Sequence, residues 1–268
     1  MDLVALTELA TTDETEAPLL AANLGVSVYE ARQKLAVGMP AVVLMTRSRP
    51  QALDLLAQLR ARKHAAVACD SSAVVPAAAM VQVRKFLLAP RELVIEAPVA
   101  TDAPITVPYA EIVALVRAIH RSTVETRDAV KERKLRPFAA IATGGVMLTK
   151  TVKHEVRTVS EEREQVLYLF RRRGVPCLLR ESTGQYAGLG ERVRPTRLEN
   201  FATTLRLLRE QAPLAPFDTR LASVRKLPEL PADDGAPRAF DPVNGGVDVL
   251  AHLIAMSLPE GAGGPFRR

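Results

Sequence analysis

The side chains best suited to nucleophilic, acid–base or metal chemistry in this 268-residue chain are four histidines and two cysteines: His64, His120, His154, His252, Cys69 and Cys177. None stands in an H-x-x-x-H, H-E-x-x-H or C-x-x-C spacing, so a metal site would have to be assembled from distant residues, and no metal or cofactor is expected. Cys177 and His154 could meet across neighbouring strands as a thiol–imidazole pair. However, Val175-Pro-Cys177-Leu-Leu reads as a buried strand, and a thiolate nucleophile needs an accessible, electropositive pocket. Cys69 also lies in an apolar run, which predicts two buried, reduced thiols. His64 follows a helix that ends near Lys63, where a cationic imidazole would favour the helix dipole.

Anion chemistry has two candidates. Gly184-Gln-Tyr-Ala-Gly188-Leu-Gly190 is a glycine cluster near basic residues, but it lacks the Lys-Ser/Thr ending of a phosphate loop, and a turn is the simpler reading. Arg171-Arg172-Arg173 forms a basic hairpin tip. With Arg192 and Arg194, and with Lys150, Lys153, Arg157, Arg180 and Arg197, it could make an anion-binding face for nucleic acid. Exposed aromatics for base stacking are scarce there, because Tyr168 and Phe170 lie in an apolar strand; the plain reading is a solvated basic surface.

The balance of charge fits either reading. The net charge is +6, with 28 Arg against 8 Lys, a bias that a GC-rich bacterial genome explains by itself. Residues 101–200 hold 18 basic and 12 acidic side chains, whereas the two flanking segments are each neutral. Tryptophan is absent and aromatics make up only 4%, so the core must be aliphatic. The opening MDLVALTELATTDETEA carries no signal-peptide pattern, and Val247–Leu258 is too short and polar to span a bilayer. A cytoplasmic protein without a transmembrane segment is the expectation.

Residues 1–75 form a first module. Glu14–Leu24 reads as a helix closed by Gly25. Ser27-Val-Tyr-Glu30 is a capping box that launches a short helix to about Val37, stopped by Gly38 and Pro40. Ala41–Thr46 is a strand, and Pro50 suits the first turn of a helix striped by Leu53, Leu56 and Leu59; Ala65–Cys69 is the returning strand. The expected order is helix, helix, strand, helix, strand.

Leu24–Asp70 resembles the later part of the C-terminal domain of the bacterial ribosomal stalk protein. The likeness rests on Tyr29-Glu30-Ala31-Arg32, then Gly38-Met39-Pro40, then the strand–helix–strand unit, about a sixth of the chain. That family opens on a strand, here replaced in the expectation by the helix Glu14–Leu24. In it, a lysine of the short helix belongs to the surface that docks translational GTPases, and this lysine aligns with Arg32. The resemblance implies a protein-binding face comprising Tyr29, Arg32 and Lys34, with a P-loop GTPase as the possible partner.

Residues 78–212 read as a mostly antiparallel β domain closed by the amphipathic helix Pro195–Gln211, with Leu198, Phe201, Leu205 and Leu208 at helical spacing. Ala110–Arg121 is expected as a helix with Ile112, Leu115, Val116 and Ile119 on one face, followed by a charged excursion over 123–136; together they would form an insertion near 110–142. Thr143–Thr158 is expected as a strand. This element order resembles the pleckstrin-homology-like barrel, which implies peptide, protein or lipid-headgroup binding. Prolines 213, 216, 228, 231, 237 and 242 mark residues 213–246 as a linker to an apolar helix, 247–258, that packs on this chain or on a partner; 259–268 reads as a disordered tail.

The composite expectation is an α+β chain. Its function reads as a non-enzymatic regulatory adaptor, with nucleic-acid binding through residues 150–197 or a dispersed Cys/His enzyme as alternatives. Oligomeric state is left open.

Overall fold

A computed structural model describes residues 1–97, 103–135, 149–224, 227–228 and 240–258; for 123–135 and 149–161 it describes the backbone alone. One compact unit comprises 1–120 and 164–268, and a second comprises 121–163. The class is α+β.

The chain opens on a strand, β1 (Asp2–Glu8), where none was expected before Glu14. Leu3, Val4, Ala5 and Leu6 are all fully buried, because both faces of the strand are covered. A strand buried on both faces shows no apolar–polar alternation, so it is hard to see in a sequence. It becomes the centre of the first sheet, in the order β2-β1-β3, with β2 (Ala41–Thr46) and β3 (Ala65–Asp70) antiparallel to it.

Three helices cover one face of that sheet: α1 (Asp13–Leu24), α2 (Val28–Leu35) and α3 (Arg49–Ala61). Their ends follow local chemistry. Thr12 caps α1, and Gly25 ends it at φ +66, a conformation that glycine adopts without a Cβ penalty. The Ser27/Glu30 capping box forms as expected, Ser27 N–H donating to Glu30 Oε2 at 2.8 Å and Glu30 N–H to Ser27 Oγ at 3.2 Å. Ser48 caps α3, with Pro50 in its first turn. The observed order is therefore strand, helix, helix, strand, helix, strand.

The β-rich part contributes two sheets. A five-stranded sheet runs β11-β8-β9-β10-β4, from β11 (Phe217–Asp218), β8 (Ile112–Leu135), β9 (Thr149–Arg171), β10 (Cys177–Arg180) and β4 (Val81–Val83). A three-stranded antiparallel meander joins β5 (Phe86–Leu88), β6 (Glu92–Ile95) and β7 (Ile105–Pro108). The helix expected over Ala110–Arg121 is instead the start of β8, and the excursion expected to follow it is strand through Leu135. The physical reason is again double-sided burial. Ala114, Val116 and Ala118 enter one core and Leu115 the other, so apolar residues crowd together and mimic a helical stripe.

Helix α4 (Arg197–Gln211), launched by a Thr196/Glu199 capping box, packs Phe201, Leu205 and Leu208 against the meander and one face of the five-stranded sheet. Leu198, expected on that stripe, is half exposed. The last helix, α5 (Gly245–Ser257), packs on its own chain. All residues from Gly245 to Ile254 are buried, as suits a helix apolar on every side. It lies in one core with Leu3, Ala5, Val67 and Cys69 of the first sheet and with Val116, Tyr168 and Phe170 of the second. The first half of the expected linker is ordered: Pro216 accepts from Leu115 N–H, and β11 pairs with β8. Of the strand expected over Thr143–Thr158, residues 149–158 begin β9, while 143–148, the linker residues 225–226 and 229–239 and the tail 259–268 lie outside the described residues. Among the described residues, no helix is long and apolar enough to cross a membrane.

Candidate functional site

Two places gather functional side chains: a buried polar chain inside, and the outward face of α2.

The buried chain starts on α5. Asp248 and His252, four residues apart, share one helix face and would be out of place in an apolar core without partners. Both find them. Tyr168 donates its hydroxyl proton to Asp248 Oδ1 at 2.6 Å, and Ala77 N–H donates to Oδ2 at 2.8 Å. His120 Nε2 lies 2.5 Å from the Tyr168 hydroxyl; because that proton goes to Asp248, the ring donates through Nε2 and leaves Nδ1 bare, without a partner. Val75 N–H donates to His252 Nε2 at 3.1 Å, and His252 Nδ1 donates to the Asp248 carbonyl at 2.8 Å. Phe170 meets the His252 ring edge-on at 4.9 Å between centroids. The network ties α5 to β8, β9 and the 74–77 connection. Apart from His120 Nδ1, its polar atoms bond to one another and to the backbone, so what the network does is fix α5.

Burial sets the protonation of this chain. It lowers His120 and His252 to about 4, with Arg180 adding to the effect on His120, and raises Asp248 to about 6 against the Tyr168 and Ala77 hydrogen bonds. Tyr168 is pushed well up by burial and by Asp248. The two imidazoles, with depressed folded values, contribute stability that is present above their unfolded values near 6.5 and lost as pH falls towards 4. Asp248, with a raised value, opposes this: its contribution is present below 3.8 and lost as pH rises through about 6. Between pH 6 and 4 these three groups therefore leave the unfolded chain a net excess of one proton, two from the histidines less one from Asp248, and the carboxyls of Glu30, Asp70, Glu164 and Asp241, held low in the fold, add to it towards pH 4. Urea unfolding at stepped pH is expected to show stability falling on acidification by at least about 1.4 kcal/mol per pH unit in that window. A flat or rising profile would contradict the network.

A second buried set ties α1 to the end of α3. Arg62 clasps Glu16 through Nε at 3.1 Å and Nη2 at 2.7 Å. His64 Nε2 lies 2.7 Å from Glu16, while its Nδ1 accepts from Ala10 N–H at 3.0 Å. His64 thus bridges two segments, accepting at Nδ1 from Ala10 and meeting Glu16 at Nε2, which is a structural role.

Cys177 is fully buried, and burial raises its thiol to about 11, away from the thiolate range; Cys69 goes to about 12 for the same reason, with Asp70 adding to it. The side chain of His154 lies outside the described residues, as do those of Lys150, Lys153 and Arg157.

The basic residues are divided. Arg171 turns its Nε back to the Val175 carbonyl at 2.7 Å and so closes the hairpin between β9 and β10, with Arg172 and Arg173 at the same tip. Arg192 and Arg194 are exposed on the segment leading into α4, where the Arg194 backbone is held by Asn200. Arg180 pairs with Glu164, and Arg197 donates to the Ser182 carbonyl at 2.8 Å. Of the glycines between them, Gly188 lies against the backbone of Phe86 and Gly184 against the Tyr186 ring, whereas Gly190 has open space and a left-handed φ of +58.

The α2 face is different. Tyr29 is 69% exposed, its hydroxyl accepting from Gln33 Nε2 at 2.8 Å, with Val28 (40% exposed) and the exposed Arg32 beside it. Lys34 is half-buried and lines a groove of about 620 Å³ with Glu30, Gln33, Val42, Leu44 and Pro228. The Ser27 hydrogen bonds lower the Glu30 carboxyl below its usual range, fixing the start of the helix. Tyr29, Arg32 and Lys34 thus share one short, doubly capped helix, as expected. Sequence reasoning missed Tyr168, His120 and Asp248 as a group. The only signal was the pair Asp248 and His252 breaking an apolar helix at a spacing of four.

No family model, curated protein or solved structure matches this chain.

Proposed function

We propose that this chain is a cytoplasmic, non-enzymatic adaptor that docks a protein partner, a P-loop GTPase, on the outward face of α2. The observation that carries the reading is Tyr29, a large aromatic left 69% exposed in a chain with few aromatics and braced by Gln33 beside an exposed Arg32. Tyrosine and arginine are the residue types that dominate binding hot spots, and a braced ring loses less freedom on docking. The partner class follows from the stalk-protein resemblance, in which Arg32 stands at a GTPase-docking position. The opening strand β1 supports that reading, because it supplies the element that the sequence expectation lacked. The internal hydrogen bonding of Asp248, Tyr168 and His252, and the burial of both thiols, support a structural role for these groups.

Calorimetric titration of the full chain with purified P-loop GTPases, loaded with GDP or a non-hydrolysable GTP analogue, tests it. Saturable binding is expected, and Arg32→Glu and Tyr29→Ala should each weaken it at least about tenfold without changing the circular dichroism spectrum. Binding by neither loaded state, or affinities indifferent to both substitutions, would overturn the proposal.

A further inference from the structure

The first sheet has two edges, and they differ. Edge β2 is irregular: its pairing with β1 slips at Val4/Ala5, placing a bulge in the strand. Bulges guard an edge against further pairing. Edge β3 is regular from Ala66 to Asp70 and, among the described residues, pairs with a strand on one side only. Ser71 N–H donates to the Met1 carbonyl, which fixes the phase of the ladder: Cys69 and Val67 bond towards β1, while Ala66, Ala68 and Asp70 turn their N–H and C=O groups outward. Arg60 confirms the phase by donating Nε to the Ala66 carbonyl at 3.1 Å.

This outward rim lines a groove of about 680 Å³ flanked by Arg49, Leu53, Leu56 and Arg60 on one side and Met256 on the other. The ladder's register shift, at Leu6/Glu8, lies opposite its Ala65 end; from Ala66 to Asp70 the strand itself carries no lysine, proline or bulge, and its side chains are small. Leu53 is 51% exposed there. The charges are ordered along the strand: Arg60 stands at the Ala66 end and Asp70, 46% exposed, at the other.

We propose that β3 pairs antiparallel with β3 of a second copy of this chain, about a two-fold axis at Ala68. Each Ala68 exchanges both backbone hydrogen bonds with the partner's Ala68, and Ala66 pairs with the partner's Asp70, all through outward-facing groups. Antiparallel pairing sets Arg60 against the partner's Asp70 twice over, and the same symmetry covers Leu53 with the partner's α3. The two three-stranded sheets become one sheet in the order β2-β1-β3-β3-β1-β2. A two-fold interface must be self-complementary, and the opposed ends of this strand are.

Sedimentation equilibrium of the full chain over about 1–100 µM tests this. A dimer is expected. Ala68→Pro removes an N–H that β1 does not use, so the fold should persist by circular dichroism while the dimer dissociation constant rises at least about 100-fold. Arg60→Asp and Asp70→Arg should each weaken the dimer, and the double exchange should restore it. A monomer at all concentrations, a dimer indifferent to Ala68→Pro, or single exchanges without rescue would overturn the pairing. If wild type is monomeric but takes up an extended peptide from another protein along β3, the second copy is likewise the wrong occupant.

Discussion

Asp248→Ala is expected to destabilise the chain by about 3–4 kcal/mol, measured as a fall in the urea midpoint at constant slope. The carboxylate accepts from the Tyr168 hydroxyl and the Ala77 N–H, both away from water. Removing it leaves two buried donors unsatisfied, each worth about 1–3 kcal/mol, and relief of carboxylate desolvation returns part of that. Asp248→Asn keeps an acceptor for one of the two and should cost about half as much. The pH profile supplies a second signature. Without Asp248, the proton uptake that opposes the two histidines vanishes, so the acid limb between pH 6 and 4 should steepen by about 1.4 kcal/mol per pH unit. A loss of stability with an unchanged pH slope would mean that Asp248 acts through packing alone.

Gly188→Ala should be the most damaging single-methyl change among the described residues. A Cβ there would stand 1.8 Å from the Phe86 carbonyl oxygen and 2.9 Å from its carbonyl carbon, atoms of a backbone held in the β5–β6 ladder. Something must shift, and the neighbours that shift carry the Phe86–Tyr186 edge contact and the buried Leu189. The expected cost is about 3 kcal/mol or more, read as a lowered melting temperature with disturbed near-ultraviolet tyrosine signal. Gly25→Ala provides the contrast. It has open space around it and only a left-handed φ of +66 to accommodate, so about 1 kcal/mol should suffice. Equal costs for the two would show that the close approach at Gly188 is not what constrains it.

What the sequence revealed and what it hid follow from the range of the interactions. Caps, turns and the strand–helix–strand unit over 38–70 were legible, because Ser27, Glu30, Gly25 and Pro50 act on backbone a few residues away. The amphipathic face of α4 was legible for the same reason. Strands β1 and the start of β8 were not, since burial on both faces erased the period-two signal that marks a half-solvated strand. The Tyr168–Asp248–His120 chain was hidden because its partners lie 48 and 80 residues apart and meet only when α5 inserts against the sheets. The α2 face was legible in part: the capping box and its exposed residues read directly from Ser27–Lys34, whereas the groove beside it depends on β2 and on Pro228.

The claim on which the functional account rests is that α2 is the working surface, and site-directed photo-crosslinking addresses it most directly. Tyr29 is replaced by p-benzoylphenylalanine in the full chain, with the same probe at Leu214, an 86% exposed residue between α4 and β11, as the reference. The account predicts a discrete adduct from position 29, identified by mass spectrometry as a P-loop GTPase, lost with Arg32→Glu and absent from position 214. No adduct at 29, or the same adducts from both positions, would contradict it.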